Sequence, residues 1–210
     1  RTLNPADEAG RYTLVLPAES DADHRLSPGG DGIAAGVVYL NGSATFLARL
    51  GDGTPVSFGA ALSQEGGLCF YRSLYRRPAS GWIGGTIQMR ESEGLADGDG
   101  TLHWVKNARP AETRYAEGFD LQQPVVASRF VAPVRQNGER VLTSLADGED
   151  NAEFTLEGGN LAFEVGTQAI TWTAADRFRF QGEVNLSGGS NPRNGWVTGL
   201  CFDPGSKQKV

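Results

Sequence analysis

Side chains along this chain alternate with a period of two. The clearest case runs from Arg177 to Leu186: Phe178, Phe180, Gly182, Val184 and Leu186 fall on one side, and Arg177, Arg179, Gln181, Glu183 and Asn185 on the other. A strand turns successive side chains to opposite faces, so this stretch predicts one buried and one solvated face. Phe154 and Leu156 alternate with Glu153, Thr155 and Glu157 in the same way, as do Leu161, Phe163 and Val165 with Ala162 and Glu164. Helical spacing is missing. Its best window, 88–96, carries Arg90, Glu91 and Glu93 without an apolar stripe, and Gly94 interrupts it. The chain is therefore expected to be all-β.

The punctuation between apolar runs says how the strands connect. Glycine numbers 29 of 210 residues, about twice the usual share, with no collagen-like period. Asn41-Gly42 separates the runs 33–40 and 43–50, and Asn-Gly suits the positive φ angles of a type I′ hairpin turn. Asp52-Gly53 leads into 54–62, Gly66-Gly67 into 68–75, and 78–80 into 81–89, which predicts a five-strand meander. Gly158-Gly159 joins two more strands, and Asn137-Gly138 is read as another hairpin. A short-loop meander tends to curl and close so that it exposes no edges. The expected fold is an antiparallel meander of about a dozen strands, forming a barrel or two packed barrel-like sheets. No Cys…Trp…Cys spacing of an immunoglobulin sandwich occurs. The segment 107–133, with Pro110, Pro124 and Pro133, is expected to be a crossover. The chain thus reads as one all-β domain, 1–210, or as two similar halves, about 10–106 and 134–210, joined by that crossover.

Charge excludes several roles. Nineteen basic against 25 acidic residues give a net charge of −6, and the only lysines are Lys106, Lys207 and Lys209. Nucleic-acid binding needs clustered cations to displace counterions, so no nucleic-acid partner is expected. No basic amphipathic helix and no apolar run near the roughly 20 residues of a spanning helix occurs, so no membrane insertion is expected.

The first half carries a succession of turns and aromatics. In order stand Gly30-Asp31-Gly32, Gly36-Val37-Val38, Asn41-Gly42, Leu50-Gly51-Asp52-Gly53, Leu62-Ser63, Tyr71, Leu74-Tyr75, Ser80-Gly81-Trp82 and Leu102-His103-Trp104. Over residues 30–106 this resembles a β-rich module found near the C-terminal ends of large bacterial secreted or surface proteins. The resemblance implies an extracellular or cell-envelope module without catalytic residues, and it carries over no site.

Candidate chemistry is sparse. Two histidines, His24 and His103, are too few for a zinc site of three or four protein ligands, and no Gly-x-Ser-x-Gly elbow exists. His103, between Leu102 and Trp104, reads as a strand residue on the polar face. Acidic loops occur at 21–23, 97–100 and 147–150. Asp97 and Asp99, spaced by glycine, are a candidate calcium pair, or the corner of a hairpin whose carboxylates bond their own backbone. Cys69 and Cys201 each sit in the tetrapeptide Gly-Leu-Cys-Phe, at 67–70 and 199–202. Two readings stay open: a disulfide between equivalent positions of two halves, worth about 4 kcal/mol if unstrained, or two free thiols buried as small apolar residues.

Aromatics are the better lead. Trp82, Trp104, Tyr71 and Tyr75 are candidate ligand-binding residues, because a ring face offers rigid apolar area to the apolar side of a sugar. Trp172 shares a face with Ile170, and Trp196 with Leu200 and Phe202, which suits burial. The expected function is a non-catalytic structural or adhesion module of a bacterial secreted or surface protein, with a glycan or another surface protein as partner. The alternatives are a carbohydrate-binding module on exposed aromatics and a glycan-active hydrolase using a carboxylate pair.

Overall fold

In a computed structural model, the described residues are 5–19, 23, 25–75, 80–90, 97–156, 165–181, 184–203 and 208–209. The architecture is all-β, and the chain divides into two units, Arg1–Phe130 and Val131–Val210.

The first unit holds strands β1 (Gly10–Leu16), β2 (Gly32–Val38), β3 (Ser43–Arg49), β4 (Pro55–Ala61), β5 (Gly67–Ser73), β6 (Gly81–Met89), β7 (Gly98–Lys106) and β8 (Phe119–Arg129). They form one antiparallel sheet in the order β4-β3-β2-β1-β8-β7-β6-β5. The meander read from Asn41-Gly42, Asp52-Gly53 and Gly66-Gly67 is β2 to β6. The first strand pairs with the last, Tyr12 opposite Arg129 and Val15 opposite Val126, so the sheet curls into a nearly closed barrel. Its two edges, β4 and β5, are consecutive in the chain and joined by a single bridge, Leu62 to Leu68. Across that seam Phe58 and Phe70 stack at 3.9 Å between ring centroids, and Phe46 stacks on Phe58 at 5.2 Å. Side chains hold together what the backbone leaves unpaired.

The inward faces make one apolar core, and Leu68, Ile87 and Ala127 are wholly buried in it. Gly36 is glycine because a Cβ there would meet the Phe46 ring, 2.6 Å from its Cγ. The void left inside measures about 10 Å³, bounded by residues such as Leu14, Phe58, Ile83 and Leu102. That is barely the space of one water, so this eight-stranded barrel is filled by side chains rather than built around a ligand.

The segment 107–133, expected to be a crossover, supplies β8 in the middle of the wall. Pro124 is accommodated because β1 pairs with β8 only from Val126 onward. Along the earlier part, β8 has a free side, where a missing N–H leaves no ladder bond unmade.

The second unit holds β9 (Ala152–Leu156), β10 (Val165–Trp172), β11 (Arg177–Gln181), β12 (Asn185–Ser190), β13 (Val197–Asp203) and the two-residue β14 (Gln208–Lys209), an open sheet in chain order. The alternating run 177–186 is a hairpin rather than one strand, with Phe180 opposite Leu186. Both sides of the alternation survive, since Phe178 and Leu186 are buried and Arg177 and Arg179 exposed. Asn137-Gly138 does not make a hairpin: it closes a single 3₁₀ turn at Arg135–Asn137, Gly138 taking φ 76°. The turn expected at Gly158-Gly159, and Leu161 and Phe163, lie outside the described residues.

Asp176 ties this lead-in to the sheet. It ends the turn 173–176 at φ 55° and is wholly buried. Its carboxylate accepts the Val141 amide at 3.0 Å and pairs with Arg135 at 2.5 Å.

Candidate functional site

The four aromatics singled out in the sequence belong to two different faces of one wall. Strands β5, β6, β7 and β8 are neighbours, and their outward positions bring Tyr71, Trp82, His103 and Asp120 into a zigzag row, Tyr71 and His103 flanking Gly84 in one register and Trp82 and Asp120 flanking Val105 in the next. Tyr71 is 66% exposed, and Trp82 is half-buried. Their ring centroids lie 5.4 Å apart with 32° between the planes. The His103 ring meets Trp82 edge-on at 4.7 Å. On its other side, His103 Nε2 lies 2.5 Å from Asp120 Oδ1, closing the row with a polar pair.

Gly84 explains how the tyrosine lies. It stands opposite both Tyr71 and His103, and a Cβ there would be 3.4 Å from Tyr71 Cδ2 and 2.8 Å from the Phe70 carbonyl. The tyrosine ring therefore leans over bare backbone, and its outer side remains in water. The row is a two-ring apolar shelf with an imidazole–carboxylate pair at one end.

Trp104 and Tyr75 point the other way. Trp104 is 1% exposed, and its Nε1 donates to Tyr75 Oη at 3.0 Å. Tyr75 Oη in turn donates to Asp52 Oδ2 at 3.0 Å, while Asp52 Oδ1 accepts the Thr54 amide at 2.8 Å. Lys106, 5% exposed, lies 5.5 Å above the Tyr75 ring. Its Nζ meets Glu112 Oε2 at 2.7 Å and donates to the Tyr115 carbonyl at 3.1 Å. The backbone here is unusual: Tyr75 has φ 63°, and Gly81, at φ 153°, has no room for a Cβ, which would sit 2.7 Å from the Tyr75 ring. Every polar group in this set has a partner within it, so it serves as packing; Trp104 offers no surface to a sugar, and Tyr75, half-buried, borders a groove lined also by Arg72, Ser73 and Glu112.

Burial, with the Asp52 carboxylate beside it, holds the Tyr75 phenol neutral well above its ordinary range. A free tyrosine ionises near pH 10. The unfolded chain therefore loses this proton at a pH where the folded chain keeps it. The stability from this group is complete below about pH 10 and falls as the pH rises beyond that. A thermal melt is expected to drop more steeply above pH 10 in the wild type than in Tyr75→Phe, and parallel curves would contradict the assignment. Glu112 is shifted the opposite way, below the usual carboxylate range, chiefly by its hydrogen bond from Lys106. A glycosidase acid needs the reverse shift.

The remaining candidates do not assemble. Asp97 and Asp99 open a strand instead of capping a hairpin. Asp97 Oδ2 accepts the Arg129 amide at 2.5 Å, and Asp99 is ion-paired with Arg90. Among the described residues no group of three metal-ligating side chains forms. Cys69 and Cys201 form no disulfide and belong to different units, Cys69 exposed and Cys201 buried. Their shared tetrapeptide is read in opposite phase. In β5, Leu68 and Phe70 face the core and Cys69 the solvent, whereas in β13 Cys201 faces the core and Leu200 is 45% exposed. A shift of one residue exchanges the two faces of a strand, so the repeat places nothing in equivalent positions. Trp172 is buried, and Trp196 half-buried.

Sequence reasoning missed His103 and Asp120 as members of the row. For His103 a signal existed, since parity sets it opposite the buried Trp104. Asp120 had none, because its strand was not foreseen. Compared with family models, with curated proteins and with solved structures, the chain matches none.

Proposed function

We propose that this chain is a non-catalytic, adhesion-type module of a bacterial secreted or cell-surface protein, and that its first unit takes a carbohydrate on the outer face of the barrel. The observation that carries this reading is the row Tyr71–Trp82–His103–Asp120, with a flat aromatic shelf and polar groups at its end. A pyranose has an apolar face and a rim of hydroxyls. The shelf suits the first, and the His103–Asp120 pair suits the second. The filled interior supports an outer site over an inner one. The envelope location follows from the resemblance over residues 30–106.

The test is a glycan array followed by titration of the best neutral sugar. Tyr71→Ala and Trp82→Ala are each expected to weaken binding at least tenfold, which is about 1.4 kcal/mol. Melting should stay near wild type for Tyr71→Ala, because that ring is mostly in water. Unchanged binding in both variants, or no glycan bound by the wild type, would sink the reading.

A further inference from the structure

The second unit presents a different surface chemistry. Arg177 and Arg179 stand on the outward side of β11, two residues apart and both exposed. Such positions on a strand lie roughly 7 Å apart. Among the described residues, neither guanidinium takes part in an ion pair, although Arg135 is matched with Asp176 and Arg140 with Asp147. Among the described residues Arg11, Arg72 and Arg193 are likewise outside any ion pair, but Arg177 and Arg179 stand two apart on one face of one strand.

Their surroundings are open and polar. Gly189 stands opposite Arg177, and Ser187 opposite Arg179, so no bulky neighbour screens either head group. Two grooves share Arg177 and Gly188. One, of about 370 Å³, also takes in Arg179, Thr173 and Ser187. The other, of about 480 Å³, also takes in Arg135 and Ser190. Ser190 Oγ is buried there without a hydrogen-bond partner. Among the described residues, the acid on this outer face of the sheet, Glu153, stands two strands away on β9, beyond Ala169, and Asp176, which lines the second groove, is paired with Arg135.

We propose that Arg177 and Arg179 form a carboxylate-binding site for an acidic polysaccharide. A guanidinium donates in a planar fork that fits a carboxylate with two parallel hydrogen bonds. Two forks along one strand grip successive acidic groups of a polymer, and Ser187, exposed on the same face, supplies a hydroxyl for its ring oxygens and hydroxyls. The preference for carboxylate stands on the arginines alone. The choice of a sugar polymer rests on the reading of the Tyr71–Trp82 face.

Affinity electrophoresis of the whole chain through gels holding polygalacturonate, neutral dextran or polyglutamate tests this. Polygalacturonate is expected to retard the wild type, with retardation lost in 1 M salt, where the screening length falls to about 3 Å. Arg177→Ala/Arg179→Ala should weaken it at least tenfold. Arg177→Lys/Arg179→Lys, which keeps the charge and loses the fork, should fall between. Arg11→Ala/Arg25→Ala, on exposed arginines of the first unit, should bind polygalacturonate as the wild type does. No retardation of the wild type, or an unaffected alanine double variant, would overturn the site. Full affinity in the lysine variant would overturn the fork, and equal retardation by polyglutamate would overturn the sugar. A lost neutral-glycan signal in Trp82→Ala bears only on the first unit, so the two failures stay distinguishable.

Discussion

Asp176→Ala is expected to unfold the sheet of the second unit, at a loss of about 3 kcal/mol or more. Three effects add. The half-buried Val141 amide loses its acceptor, at a cost towards the lower end of the about 1–3 kcal/mol of an orphaned buried donor. Arg135 loses a partner at 2.5 Å, although its 38% exposure lets water replace part of that contact. Alanine must also adopt φ 55°, a left-handed conformation that costs a non-glycine residue roughly 1–2 kcal/mol and that aspartate tolerates better. Two controls separate these effects. Asp176→Asn keeps an acceptor and the tolerance for positive φ, and should lose only the charge contribution. Asp176→Gly relieves the backbone but leaves the amide bare, and should resemble alanine less a fraction of its deficit. Amide hydrogen exchange reads the outcome by segment. Protection should collapse in β10 to β13 for alanine and survive in β1 to β8. Unchanged protection in β12, whose Ser190 amide bonds the Asp176 carbonyl, would contradict the keystone role.

How far the sequence reveals this fold can be argued strand by strand. From β2 to β6 the turns are made by residues whose chemistry is local: Gly42, Gly53 and Gly66 all adopt φ near +80°, but Asn41 does not take positive φ, so the turn is not the type I′ hairpin that Asn-Gly suggests; Gly42 instead closes a turn from Tyr39. A local cause leaves a local trace. Strand β8 left none. Its Pro124 and paired glutamines look like a linker, and only the register of β1 against β8 makes a proline acceptable there. Gln123 shows the same dependence, buried in the barrel with its amide donating to the Pro17 carbonyl at 2.6 Å. The turn at Asp176 was hidden for a related reason. An alanine pair before an aspartate announces a turn only weakly, and this carboxylate answers to an amide 35 residues away.

The candidate site divides along the same line. Period two foretells that Trp82 and Trp104 each sit on one side of a strand, but it does not say which side faces the core. That depends on which strands pair and on where small residues leave room. Gly84 on the outside lets the Tyr71 ring settle onto the sheet, and Gly81 on the inside admits the Tyr75 ring. The outward choice for Trp82 thus follows from a glycine on its own strand.

Trp104→Ala is expected to have the largest effect in the first unit, about 3–5 kcal/mol, the usual range for emptying a large aromatic from a core. The indole is 1% exposed, and Phe119 packs edge-on against it at 4.9 Å. Its removal also strips Tyr75 Oη of a donor, while leaving Asp52 as that hydroxyl's acceptor. Tyr75→Phe dissects the set differently. It keeps the ring under Lys106 and against Gly81, but leaves the indole N–H and one Asp52 oxygen unpaired, and should cost about 1–3 kcal/mol. Because both substitutions act on one hydrogen-bonded chain, the double variant Trp104→Ala/Tyr75→Phe should lose less than the sum of the two, by 0.5 kcal/mol or more. Denaturant unfolding measures all three. A tryptophan loss below about 1 kcal/mol, or strictly additive losses, would show that this end of the barrel is not packed through the network. The same variants offer a check on function. The outer shelf is built on β5 to β8, whose inner side these residues secure, so a folded Tyr75→Phe should bind a neutral glycan as the wild type does. A binding defect in Tyr75→Phe equal to that of Trp82→Ala would move the ligand from the outer wall to the barrel's end.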